Sequence, residues 1–524
     1  MGIYLNPGFE NFKEQSTQDL FVDKTMMLSK IWRIMDSGNK YICMSRPRRF
    51  GKTYAGNMLS CYFSKGCDSE ELFAPLKISQ DPDYKKKLNQ YNVIKLDMNS
   101  EYQNTLDKKL VVNRINHEVK IEIQQAFPDV DIQDSDSLAQ CIQRVFSATG
   151  EQFIIIIDEY DVFVREQVQD NLFQEYLGFL NGLFKSDTLR PAIALAYLTG
   201  ILPVVRDKIQ SKLNNFDEYT ILDAGELAEY VGFTDEEVHS LCDQHQISYN
   251  ECRRWYDGYT QNGFELYNPE SVVKCIQKKR FGSYWGKTSS YEVITDRIKL
   301  NFSGVKDDVI KMLSGESVDV DADMFLNTMV DFKNRDDVFT FLIHLGYLAY
   351  DNVNQTCRIP NKEVREEWMR AISRTSEYDM TTQIIQASKQ LLTATINGDE
   401  SAVATALDES HIHVTSNRSY NNEDALQSAI YLSYIYALNK YTVIKEMTTG
   451  KGFADVVFIP IVPDMPAIII ELKHNKCTQS GIDQIHDKQY YDALSLYRGD
   501  LLFVCINYDE KTKTHTCRIE KFIK

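Results

Sequence analysis

The stretch "MSRPRRFGKTYAG", Met44 to Gly56, decides the fold. It follows the apolar run "KYICMS" and precedes a segment with helical patterning. A phosphate-binding loop reads G-x-x-x-x-G-K-S/T between a strand and a helix, and Gly51, Lys52 and Thr53 match its end. Gly51 lets the backbone approach phosphate oxygens, Lys52 reaches the β- and γ-phosphates, and the Thr53 hydroxyl ligates Mg²⁺. Arg46 stands where the first glycine belongs. A side chain there widens the turn, so Arg46, Arg48 and Arg49 are expected to supply guanidinium charge in place of lost N–H groups. A G-K-T tripeptide alone fits a basic surface turn equally well.

A second segment tips that balance. "EQFIIIIDEYD", Glu151 to Asp161, is an apolar strand ending in Asp158-Glu159. In nucleoside triphosphatases such a strand is expected beside the loop strand. Its aspartate holds the Mg²⁺ shell, and the following glutamate orients and deprotonates the attacking water. A further strand, "IALAYLTG", ends in Thr199, where a hydroxyl could sense the γ-phosphate; a strand-end threonine is more often structural. The cofactors expected are therefore ATP and Mg²⁺.

The surrounding chain has 524 residues, more than one hydrophobic core accommodates. Hydrophobic residues make up 43% and charged residues 25%, the balance of a soluble globular protein. The formal net charge of -17 excludes a whole-chain basic footprint, so any nucleic-acid contact needs a local basic surface. The longest apolar run, Ala192 to Val205, is too short to span a bilayer and contains Gly200 and Pro203. The eleven cysteines include no C-x-x-C. With no secretory signal at the start, they read as reduced thiols of a cytoplasmic protein.

Three regions differ in pattern. Residues 1–225 alternate short apolar runs with amphipathic stretches, which argues for a parallel α/β sheet. Residues 226–390 are mostly helical, with a capping box at Thr234 and Glu237. Residues 400–524 hold one long helix pattern followed by paired strands. His411 and His413 are expected in a linker. The basic triplets Lys85 to Lys87 and Lys278 to Arg280 are expected in solvated loops.

The last region carries a second chemical centre, "GKGFADVVFIPIVPDMPAIIIELKHNK", Gly450 to Lys476. Strands "FADVVFIP" and "AIIIELK" flank the turn "VPDMP". Period-two alternation puts Glu471 and Lys473 on one face, and a hairpin brings Asp455 beside them. Two carboxylates suit Mg²⁺, which polarises a phosphodiester and generates hydroxide; the lysine orients water or offsets developing charge.

Both centres resemble known families. "SRPRRFGKT" resembles the altered loop of the AAA-ATPase-like family often found in Bacteroidetes and other gut bacteria, where R-P-R-R-F-G-K-S/T replaces the glycine-rich form. "FVDKT", "WYDGY", "LYNPESV", "YWGKTSS", "HLGYLAY" and "RIPNKEV" resemble its other signatures. The resemblance implies a P-loop NTPase followed by a helical lid. Trp255, Tyr256 and Tyr259 are expected to pack between lid and core. The carboxyl-terminal region resembles the PD-(D/E)xK nuclease superfamily, which implies an α/β restriction-endonuclease-like domain. Asp455, Glu471 and Lys473 occupy its motif positions, with Ala454 in place of the proline. Glu423, which opens an amphipathic helix, matches an extra acidic metal ligand, and Gln484 matches an accessory polar residue.

The two resemblances together imply an ATP-regulated, Mg²⁺-dependent nuclease acting on DNA, with a role in defence against foreign DNA. A nucleotide-controlled signalling switch and a motor ATPase with a degenerate nuclease are the alternatives. The choice between DNA and RNA, a homo-oligomeric state and an arginine finger (Arg190, Arg206 or Arg254) stay open.

Overall fold

The computed structural model describes residues 2–203, 213–285, 292–300, 302–323, 325, 332–372, 379–414, 423–449, 452–461, 465–494 and 497–522. The chain packs as two compact units, Met1–Ser290 with Ser317–Arg365, and Tyr291–Glu316 with Glu366–Lys524.

The first unit is built on five strands: β1 (Tyr41–Ser45), β2 (Asn92–Asp97), β3 (Phe153–Asp158), β4 (Ile193–Gly200) and β5 (Asp217–Tyr219). They form one parallel sheet in the order β2-β3-β4-β1-β5. Every residue of β1, β3 and β4 is buried, the near-continuous apolar pattern of strands covered on both faces. Helix α1 (Lys52–Phe63) leaves the end of β1 directly after the loop. One expectation is corrected here. The acidic strand β3 does not lie beside the loop strand; β4 runs between them and pairs with both.

The remaining part of this unit mixes helices with two three-stranded sheets. Thr234 and Glu237 close the expected capping box on the helix Asp235–His245. Trp255, Tyr256 and Tyr259 are all buried.

The second unit carries β6 (Tyr441–Thr449), β7 (Gly452–Pro460), β8 (Ala467–His474), β9 (Leu501–Asp509) and β10 (Thr514–Phe522), paired in that order. β8 and β9 are parallel, and the other pairs are antiparallel. Alternate residues serve two cores. Val456, Phe458, Ile468 and Ile470 pack with Leu426, Ala429 and Ile430 of helix α2 (Glu423–Ser433). Val457 and Ile469 pack with Ile482 and Ile485 of helix α3 (Thr478–Asp487).

His411 and His413 lie in the helix Glu400–Val414 and not in a linker, a second correction. All cysteines are free, and all but Cys477 and Cys517 are buried. Among the described residues no helix is long and apolar enough to cross a membrane.

Candidate nucleotide and metal sites

Gly51 caps the start of α1 at φ 94, a conformation costly for any residue with a Cβ. No side chain caps this helix, so its first N–H groups are left to face an anion. The Lys52 ammonium is buried and donates to the carbonyls of Arg46 and Pro47, each at 3.0 Å. Burial lowers its pKa, while Glu159, Asp158 and Asp161 pull the other way. A polyphosphate would add counter-charge to that of the nearby carboxylates.

Gly51, Lys52, Thr53, Arg48, Arg49 and Glu159 line a cavity of about 620 Å³. That volume is in the range of small-molecule sites, roughly 300–1,000 Å³. Apolar walls come from Leu20, Val22 and Phe233. Asp158 and Thr199 are not among the residues lining this cavity: both are buried, and the Thr199 hydroxyl donates to an Asp158 carboxylate oxygen. Asp158 also accepts the Glu159 N–H at 3.0 Å. Arg46 departs from expectation. It is fully buried, and its guanidinium donates to the carbonyls of Ser45 (3.0 Å) and Tyr219 (3.1 Å) at the ends of β1 and β5. It braces the loop from beneath and does not line the cavity. Burial pushes its pKa down to about 10.

The family-like signatures converge on this loop. Phe50 packs edge-on to Tyr259, with ring centroids 5.3 Å apart. Asn268 donates to the Arg48 carbonyl at 3.2 Å, and Glu270 pairs with Arg49 at 3.5 Å. Arg49 also reaches the Tyr284 carbonyl. Glu363 accepts the Tyr284 and Trp285 N–H groups at 2.6 and 2.8 Å. Gly258 makes this packing possible: at φ +115, a Cβ there would stand 2.2 Å from the Pro360 carbonyl oxygen. Gly258→Ala is therefore expected to lower stability by more than about 1 kcal/mol, read as a fall in the thermal midpoint, because strained backbone and overpacking add. An unchanged midpoint would show that the contact is not needed.

Of the arginine-finger candidates, Arg190 donates to the Gly38 carbonyl and Arg254 pairs with Glu251. Arg206 lies outside the described residues. Besides Arg48 and Arg49, Arg165 lines the cavity, and sequence reading passed it over. Its only local signal is the Asp161–Arg165 spacing of four on a short helix.

In the second unit, the Asp455 carboxylate accepts the Leu472 N–H at 2.7 Å where β7 and β8 part. Gln427 of α2 donates to the Asp455 carbonyl at 3.0 Å. Glu471 and Lys473 face α3, and the Lys473 ammonium bonds a Glu471 oxygen at 2.8 Å. Gln484 accepts from Lys473 at 2.8 Å and donates to that same Glu471 oxygen. Tyr490, unforeseen from sequence, bonds Gln484 at 2.9 Å. Gly481 lets α3 come this close, since a Cβ there would meet the Cys505 sulfur at 2.3 Å.

The other Glu471 oxygen, Oε2, is buried and has no hydrogen-bond partner among the described residues. Burial first, and the nearby Asp455 second, push its carboxyl pKa up to about 7. An orphaned carboxylate oxygen beside a second carboxylate fits a divalent cation, which would offset both penalties. Among the described residues, no group of three or more His, Cys, Asp or Glu gathers at a point. Glu423 opens α2, but its side chain lies outside the described residues, as do 462–464 of the turn. The triplet Lys85 to Lys87 offers no free charge, because the three pair with Glu70, Asp83 and Asp36.

Comparison with known proteins agrees with both centres. Residues 7–210 match the family model "Predicted AAA-ATPase", and residues 421–517 match the "PD-(D/E)XK nuclease superfamily". An uncharacterized protein in the vnfD 5'region of Azotobacter chroococcum mcd 1 is 24% identical over 281 residues, 53% of this chain. The chain spans about half the length of that relative, 52%. Two solved structures are similar only slightly. One is C. elegans PCH-2 (12% identity, 45% of this chain and 50% of that one, TM-score 0.20). The other is the Aeropyrum pernix ORC1 protein in complex with DNA (9% identity, 92% and 98%, TM-score 0.23).

Proposed function

Because the chain joins a predicted AAA-ATPase domain to a PD-(D/E)XK nuclease superfamily domain, we propose that it is an ATP-regulated, Mg²⁺-dependent nuclease acting on DNA. The observation that carries the reading is the set Asp455, Glu471, Lys473 and Gln484, held together with one Glu471 oxygen unpartnered. In this reading, Lys52, Thr53 and Asp158 hold Mg²⁺-ATP, with Arg48 and Arg49 beside the phosphates. Glu159 accepts the proton of the attacking water. Asp455 and Glu471 bind the second Mg²⁺, with Glu423 as an outer ligand, and Lys473 orients water. The proposal keeps three functional segments (1–225, 226–390 and 400–524), a cytoplasmic setting, a local basic surface for DNA and a role in defence.

The test is incubation of the full chain with double- and single-stranded DNA and RNA, with and without ATP and Mg²⁺. Cleavage of DNA that depends on Mg²⁺ and changes with ATP is the result expected. No cleavage of any substrate would favour a nucleotide-controlled switch whose nuclease fold only binds.

The Glu471 pKa gives a pH dependence. Below about 7 the carboxyl carries a proton that a metal must displace. Mg²⁺ binding is therefore expected to weaken as pH falls through 7 and to release close to one proton at pH 6. At pH 8.5, where the group is already ionised, release should be near zero. Calorimetry in buffers of different ionisation enthalpy reads the proton count. Equal release at both pH values would remove Glu471 from the metal shell.

A further inference from the structure

The cavity lined by Lys52 and Thr53 also holds a charge pair, Arg165 with Glu159, whose arginine has no part in the ATPase reading above. Arg165 ends the short helix Val162–Arg165, which begins directly after the Asp158-Glu159 turn. Its guanidinium Nη2 bonds the Glu159 carboxylate. Its Nε forms an ion pair with Asp161 Oδ1 at 3.3 Å, but among the described residues this buried nitrogen has no aligned hydrogen-bond acceptor. The side chain is 10% exposed, while Glu159 is 32% exposed. Asp161 is fixed from its far side, because its other oxygen accepts the N–H groups of Ile201 and Leu202, both at 2.9 Å. The arginine is thus paired with Asp161 at its root, and among the described residues its tip bonds Glu159. Glu159 itself sits at φ 52, an uncommon backbone state for a residue with a side chain.

Glu159 and Arg165 both line the cavity with Gly51, Lys52 and Thr53. A guanidinium presents a planar fork that matches phosphate oxygens as well as it matches a carboxylate. While its carboxylate is engaged by that fork, Glu159 is turned to Arg165 and not to a water at the loop.

We propose that Arg165 senses the terminal phosphate in cis: it parks Glu159 when the cavity lacks a triphosphate, and moves to the γ-phosphate when one enters. The proposal rests on the ATPase reading above and goes beyond it by assigning the trigger. Release frees Glu159 to take a proton from water as the water oxygen bonds to the γ-phosphorus. The bond from the γ-phosphorus to the β,γ-bridging oxygen breaks, ADP keeps that electron pair, and inorganic phosphate forms. Arg165 carries charge on the phosphoryl oxygens during the step. A diphosphate lacks the group that draws Arg165 away, so the pair stays closed.

The test uses the full chain as Arg165→Ala, Arg165→Lys and Glu159→Gln, with fluorescent ATP and ADP analogues and Mg²⁺. Binding, kcat and KM are measured for each. Arg165→Ala should lose about 10³-fold in kcat, the scale of an arginine contact in phosphoryl transfer. It should also lose the preference for ATP over ADP while holding ADP as the parent does. Arg165→Lys should recover part of the ATP preference but little of kcat, since it keeps charge without the fork. Glu159→Gln should bind ATP more tightly than the parent, because the pair that competes with the phosphate is weakened.

Equal loss of ATP and ADP affinity in Arg165→Ala, or a kcat like the parent's, would overturn the assignment and leave the ATPase reading standing. A parent protein that binds neither nucleotide would overturn both. If Arg165→Ala fails to fold, Glu159→Gln still decides: ATP affinity no tighter than the parent's sinks the proposal.

Discussion

Lys52→Ala is expected to abolish ATP binding and turnover, whereas Glu159→Gln keeps ATP bound and hydrolyses it slowly. Lys52 is buried at the mouth of α1 and held by two carbonyls of its own loop. Those bonds are the kind a phosphate can take over, since the loop carbonyls offer partial charge where a phosphate offers a full one. Arg46 points beneath the loop and Arg49 is tied to Glu270 and Tyr284, so neither stands in for Lys52 at the loop carbonyls. Losing one such preorganised donor costs about 10²- to 10³-fold in rate, roughly 3–4 kcal/mol of barrier. Glu159→Gln removes the proton acceptor and leaves the Lys52 and Thr53 contacts in place. Filter binding of ATP and release of phosphate, measured on the same preparations, separate the two effects. Equal turnover in Lys52→Ala and the parent would sink the nucleotide reading.

What could be read from sequence follows the range of the signal. The strand, loop and helix around Gly51 are local: an apolar run, a glycine and a helix-forming stretch suffice. The same holds for the period-two faces of β8 and for the capping box at Thr234. Strand order is not local. β4 separates β1 from β3 because crossovers place strands, and nothing in the composition of "IALAYLTG" says which neighbours it takes. Arg46 was misjudged for a related reason. Its charge suggested phosphate, but its guanidinium bonds the Ser45 and Tyr219 carbonyls at the ends of β1 and β5. Arg165 was missed because an acid and an arginine four apart usually mark a solvated helix face. Only the fold reveals that Asp161 is buried and that Arg165 lines the cavity with the loop. Trp255, Tyr256 and Tyr259 looked like plain packing and are buried; that Tyr259, Asn268 and Glu270 all meet the phosphate-binding loop emerges only when distant segments come together.

Asp455→Ala and Glu471→Ala should each eliminate cleavage while leaving ATP turnover without nucleic acid unchanged. The carboxylates approach each other where β7 and β8 diverge, and the Leu472 N–H fixes Asp455 there. A divalent ion at this point would be left with one protein carboxylate in either variant. Losses of this type in metal-assisted hydrolysis are on the order of 4 kcal/mol or more of barrier. Glu471→Ala also strips Lys473 of its ion-pair partner in a nearly dry pocket, so it should lower the thermal midpoint more than Asp455→Ala does. Glu471→Gln tests chemistry with less disturbance: the amide oxygen can still accept from Lys473, but the charge that binds metal is gone. ATP turnover should hold in all three, because Lys52 and Glu159 belong to the other packing unit. A cleavage assay beside a phosphate-release assay reads both centres. Cleavage that survives in both carboxylate variants would place the activity elsewhere in the chain or in a contaminant. Loss of ATP turnover along with cleavage would mean that the second unit acts on the first, and the two centres could not then be treated as independent.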